Sequence, residues 1–188
     1  MTKIETGLAG CYIIEPQVFG DARGWFYESY SAEKFARLGI RTEFVQDNRS
    51  FSAQKGTLRG LHCQTDPNCQ TKLICCTRGV LTDVVVDVRE GSPSYMQHIA
   101  VELSAENRRM LYIPKGFLHG FVTRTDDVEV FYKVDAFYAP ANDRSIRYND
   151  PAFGIDWDTE NPILSKKDSE NPLFADSDVR FSYQEEAR

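Results

Sequence analysis

The sequence predicts an all-β domain, a sandwich or barrel with a few short helices. Three observations carry that expectation. Runs such as GVLTDVVVDVRE, QHIAVEL and VEVFYKV alternate with the period of two that half-buried strands require. Clusters rich in glycine, proline, Asp and Asn, such as REGSPSY and AFYAPANDR, separate those runs and mark turns. The 188 residues show no linker, internal repeat or low-complexity stretch and fit one domain, 1–188, on the usual scale of about 100 to 200 residues per domain. Many short strands at this spacing specify a sandwich or barrel rather than a parallel sheet.

The helix signal lies at residues 31–38, where Ser31 stands in N-cap position, Gly39 closes the segment, and Phe35 and Leu38 fall three apart on one side. In the run at 79–90, Val84, Val86 and Val88 take one face of a strand and Asp83, Val85 and Asp87 the other. In VEVFYKVDAFYA, Val128, Val130, Tyr132, Val134 and Tyr138 share a face if the strand stays regular, so both tyrosines point into one cavity. The tail, residues 149–188, carries Pro151, Pro162 and Pro172 and weak periodicity, which predicts short helical turns packed against the β core.

Composition narrows the function. With 41 % hydrophobic and 12 % aromatic residues the chain is globular. Its net charge of -6 argues against sequence-blind binding to nucleic acid or anionic membranes, which needs dense Lys/Arg patches. A phosphate-bearing ligand must meet a few local cations instead. No apolar stretch has the length of a signal peptide core or a membrane span, so a cytoplasmic location is expected. The five cysteines have no CxxC spacing and fit reduced, buried thiols. A zinc site from His62, Cys63, Cys69 and Cys75 is the competing reading.

Only three histidines are present. His98 sits in the alternating MQHIAVE and reads as a surface residue. His62 lies in the glycine-flanked GTLRGLHCQ, and His119 ends a P-x-G-x-x-H pattern at 114–119. These two segments resemble the paired signatures of cupins, which implies a cupin-type β jelly roll. In metal-binding cupins the first signature carries H-x-H, because a divalent ion needs several converging N/O ligands. Here it reads His62-Cys63-Gln64. The missing histidine favours interior histidines that move protons.

A closer resemblance runs along nearly the whole chain. FGDARGWFYE (19–28), FVQDNRS (44–50), GTLRGLHCQ (56–64), QTKL (70–73), YIPKGFLHGF, VFYKVDAFYAP and RYNDPAFGIDW are similar, in order, to the motifs of the dTDP-4-dehydrorhamnose 3,5-epimerase family. The resemblance implies a homodimer with neither metal nor organic cofactor. Its substrate is a nucleoside-diphosphate 4-keto-deoxysugar, and its product leads to dTDP-L-rhamnose and cell-surface polysaccharide.

Carried over by position, the resemblance makes His62 the base, Tyr132 the acid on the opposite face and Asp168 the carboxylate that orients His62. Lys72 and His119 lie around the sugar carbonyl and phosphates. Arg23, Arg59, Gln46, Asp47 and Asn48 hold the nucleotide, and Tyr138 stacks on its base. Phe26 and Glu28 belong to an arm that reaches the partner subunit's pocket. Asp143 and Lys167 match further substrate positions, with Lys166 leaving the lysine register open. Cys63 stands where an aromatic residue is more usual, which implies a packing difference. Arg59 and His62 are three apart, so sharing one pocket requires a bulge, which Gly60 permits.

The chemistry explains these residue types. A proton beside a ketone is acidic only because the enolate places charge on the carbonyl oxygen. The site therefore needs a base near the carbon and a positive donor near the oxygen. An imidazole, with an ordinary pKa of about 6.5, accepts protons at neutral pH, and a tyrosine, near 10, stays able to donate. The alternatives are inversion of one carbon, another nucleotide-linked 4-keto sugar, a metal-dependent cupin and a non-catalytic sugar binder.

Overall fold

The structure, a computed structural model, describes residues 1–184; the last four residues of the expected tail, and of the 1–188 domain, lie outside them. In chain order the elements are β1 (Thr2–Glu5), β2 (Tyr12–Glu15), a hairpin of β3 (Phe19–Asp21) and β4 (Gly24–Phe26), and α1 (Ala32–Arg37). There follow β5 (Gln46–Ser52), β6 (Leu58–Gln64), β7 (Lys72–Arg78), β8 (Val80–Asp87), β9 (Arg89–Glu90) and β10 (His98–Ser104). The chain continues through β11 (Met110–Ile113), β12 (Phe117–Thr123), β13 (Val128–Val134), β14 (Asp143–Ser145), α2 (Lys166–Ser169), a 3-10 turn at Phe174–Asp176, and β15 (Phe181–Ser182).

Two antiparallel sheets make the body. The larger has the order β1-β2-β11-β7-β13-β5 and the smaller β10-β8-β12-β6-β14. From β5 to β8 and again from β10 to β14 the chain alternates between sheets, which is the winding of a jelly roll. The all-β cupin-type expectation holds. Among the described residues, no helix is long and apolar enough to cross a membrane.

Three apolar layers hold the sheets. Between them Ile74, Cys76, Leu81, Val85, Phe121, Val128 and Val130 form one cluster. Outside the smaller sheet, Val84, Val86 and Val88 pack under Phe153, Trp157, Phe174, Val179 and Phe181 of the tail. The alternation read from the sequence thus separates two cores, and the tail covers the β body as expected. Outside the larger sheet, α1 inserts Phe35, 1 % exposed, against Ile14, Leu73 and Met110. Ser31 caps that helix by accepting from the Lys34 N–H. Truncating a buried Phe typically costs about 3–5 kcal/mol, so this one side chain fixes the helix to the sheet.

One expectation fails locally. β13 ends at Val134, and the chain turns before Tyr138, which is 58 % exposed outside the sheet. The strand therefore does not carry Tyr138 into the cavity beside Tyr132.

Candidate active site

The site depends on an irregularity in β6. His119 pairs with His62, whereas Phe121 pairs with Arg59, so three residues of β6 span two of β12. The extra residue is accommodated at Gly60, whose φ of +134° suits glycine alone. A Cβ there would lie 2.5 Å from the Gly120 Cα. The two glycines let the strands approach, and the bulge turns both Arg59 and His62 toward one cavity of about 320 Å³. Cys63 then falls on the other face, in the core beneath the tail. Burial pushes its thiol up to about 12, so it packs and does not react.

The cavity opens between the sheets. β6 and β12 supply His62 and His119 from one sheet; β7 and β13 supply Lys72 and Tyr132 from the other. His62 Nε2 lies 2.6 Å from Asp168 Oδ1. A carboxylate only accepts, so Nε2 carries the proton and Nδ1 of the neutral ring is bare. Asp168 is held in turn: its Oδ2 accepts from the Ser165 hydroxyl at 2.7 Å, while its N–H donates to that hydroxyl at 3.0 Å. Burial alone would raise the Asp168 pKa, but the hydrogen bonds from His62 and Ser165 outweigh it and hold the carboxyl below its ordinary 3.8.

Opposite them, burial pushes the Lys72 ammonium below its ordinary 10.5, against the pull of Cys63, Asp83 and Asp143. Burial also lowers the pKa of His119, although Asp83, 3.0 Å away, works the other way. Burial raises the Tyr132 phenol above 10, partly offset by Arg59. Around neutral pH the cavity therefore holds a neutral His119 and a protonated tyrosine.

Not every anticipated residue lines this cavity. Arg59 does, anchored to the Ser52 hydroxyl and the Phe51 carbonyl, and so does Lys167, whose Nζ is 2.6 Å from Asp143 Oδ2. Lys166 is not in the wall. Gln46 and Asn48 share the inner face of β5 and hydrogen-bond to each other at 2.8 Å. Asp47 points to the opposite face and pairs with Lys133 at 2.8 Å. Tyr138 stands outside, tied only by its N–H to the Gln46 side chain. Arg23, paired with Asp21, and Phe26, 65 % exposed, lie on the β3–β4 hairpin, with Glu28 paired to Lys34 beyond it. Among the described residues, no three His, Cys, Asp or Glu side chains gather to hold a metal ion. His98 lies half-buried on the edge strand β10, away from the cavity.

Ser165, Ser50, Ile74, Phe121 and Val130 also line the wall, and sequence reasoning missed them as site residues. Ser165 had a readable signal: Ser165-x-x-Asp168 is the pattern of a helix start, and Ser165 caps α2.

Known proteins resemble the chain in both sequence and fold. The family model described as dTDP-4-dehydrorhamnose 3,5-epimerase matches residues 5–176. The Shigella flexneri dTDP-4-dehydrorhamnose 3,5-epimerase is 45 % identical over 179 residues, 95 % of this chain and 98 % of that protein. The Legionella pneumophila dTDP-6-deoxy-D-glucose-3,5-epimerase, solved with dTDP-4-keto-L-rhamnose, superposes with a TM-score of 0.92 at 44 % identity, covering 98 % of this chain and 99 % of that one. A 3'-monoepimerase from Streptomyces bikiniensis, solved with dTDP-quinovose, gives 0.87 at 33 % identity over 95 % and 92 % of the two chains. On its sequence, its fold and its likeness to these enzymes, the chain belongs to the dTDP-4-dehydrorhamnose 3,5-epimerase family of isomerases.

Proposed function

We propose that the protein inverts C3 and C5 of dTDP-4-dehydro-6-deoxy-D-glucose to give dTDP-4-dehydro-L-rhamnose, with His62 as base and Tyr132 as acid. The observation that carries the reading is that the His62–Asp168 pair, from the smaller sheet and its covering tail, lines one cavity with Tyr132 and Lys72 of the larger sheet. Nδ1 of His62 takes the proton from the carbon beside the C4 ketone, and Asp168 stabilises the imidazolium that forms. Lys72 holds the negative charge that develops on the carbonyl oxygen. The Tyr132 hydroxyl returns a proton to the other face. At each of the two carbons one proton leaves and one arrives, so the product is an isomer. Arg59 and Lys167 supply local positive charge for the diphosphate.

The reading extends to a homodimer. The β3–β4 hairpin exposes Phe19, Trp25 and Phe26 at 55–65 %, and such a surface is suited to a second copy of the chain, whose pocket Phe26 and Glu28 would complete. Five free thiols fit the reducing cytosol, where nucleotide sugars for cell-surface polysaccharide are made.

The test is Tyr132→Phe, which removes one hydroxyl and keeps the ring. His62 still takes a proton and Lys72 still holds the enolate, which then collapses on its original face. The variant is expected to wash solvent deuterium into unchanged substrate while forming little inverted product. Inversion at the wild-type rate would remove Tyr132 from the acid role.

A further inference from the structure

The cavity wall is chemically divided. His62, Lys72, His119 and Asp168 bring ionisable groups, whereas Ile74, Phe121 and Val130 bring only hydrocarbon. These three side chains are 1 %, 5 % and 2 % exposed and belong to the cluster between the sheets, where Tyr132 packs against them. Their placement follows from strand register. Ile74 pairs directly with Tyr132 across β7 and β13, and Val130 lies two residues from Tyr132 on the same face. Phe121 closes the patch from β12, with its ring centroid 6.5 Å from that of His119. The apolar patch is thus continuous with the proposed acid.

Resting on the proposed function, a 4-keto-6-deoxyhexose offers hydroxyls at C2 and C3, a ketone at C4 and a nucleotide at C1. Its single apolar substituent is the methyl on C5. We propose that Ile74, Phe121 and Val130 form the seat of that methyl, so that this patch selects 6-deoxy sugars over 6-hydroxy sugars and holds C5 beside Tyr132. A hydroxyl placed there would lose its water and meet no hydrogen-bond partner on the patch. The methyl loses nothing by the same transfer.

The test compares two substrates that differ in one atom: the 4-keto-6-deoxyhexose nucleotide and the same 4-ketohexose nucleotide carrying a 6-hydroxyl. Deuterium entry at C3 and C5 is followed for each. The wild-type enzyme is expected to favour the 6-deoxy substrate by about 100-fold in kcat/KM, the scale on which an apolar pocket rejects an added hydroxyl. Val130→Thr exchanges one buried methyl for a hydroxyl of similar shape and should narrow the preference to about tenfold or less; Ile74→Thr provides the same comparison from the neighbouring strand. A wild-type preference under about tenfold, or one that neither threonine variant narrows, overturns the assignment. Absence of exchange with both substrates in the wild-type protein overturns the proposed function, and the methyl seat with it.

Discussion

His62 can act as a base only if the nitrogen facing the substrate is bare, and Asp168 secures that by accepting from the other one at 2.6 Å. Ser165 fixes the carboxylate, so a helix cap also holds the partner of the proposed base. Lys72 is the residue whose titration should limit activity in alkali. In its proposed role its charged form stabilises the enolate, and burial sets its pKa below the ordinary 10.5, so that charge is lost earlier on raising the pH than from a free lysine. Burial moves the pKa of Tyr132 the other way, so this phenol keeps its proton to higher pH than a free one. With Lys72 in that role, the alkaline limb of kcat/KM should move to higher pH in Lys72→Arg, whatever the absolute rate, because a guanidinium holds its proton more tightly than an ammonium. An unmoved limb in the variant's pH profile would assign it to another group.

At the scale of elements, the bulge in β6 brings Arg59 and His62 to one cavity. Gly60→Ala would force a Cβ to within 2.5 Å of the Gly120 Cα and 3.0 Å of the His119 carbonyl oxygen, at a φ of +134°. Backbone strain and overpacking together should cost about 2–6 kcal/mol in urea unfolding, and exchange activity should fall because His62 is displaced. A loss under about 1 kcal/mol would be that of an ordinary surface change and would deny the close approach its role. Much of the architecture was legible: Ser31 and Gly39 bracketed α1, and the valine alternation of β8 anticipated the two cores on its faces. The need for a bulge followed from the spacing of Arg59 and His62, but its existence depends on Gly120 in a strand nearly sixty residues away, which local pattern does not register. Tyr138 misled because alternation says which face a residue takes while the strand lasts, and not where the strand stops. Asp47 was grouped with Gln46 and Asn48 by the family motif, although period two places it on the opposite face.

For the molecule as a whole, two facing sheets bring the proposed acid and base to one cavity from opposite walls, the geometry that inversion demands. The smaller sheet contributes His62 and, through the tail packed behind it, Asp168; the larger contributes Lys72 and Tyr132. The tail is therefore part of the site as well as a cover for the core. The exposed hairpin at 19–26 lies apart from that cavity, consistent with an arm for a second subunit. The central claim is that this one cavity inverts both carbons flanking the ketone by proton exchange. It is tested most directly by incubating the purified protein with dTDP-4-dehydro-6-deoxy-D-glucose in deuterated water and locating deuterium in the product by NMR. The account predicts deuterium at both C3 and C5 of dTDP-4-dehydro-L-rhamnose, undiminished by a chelator. Deuterium at one carbon alone, or exchange abolished by chelation, would contradict it.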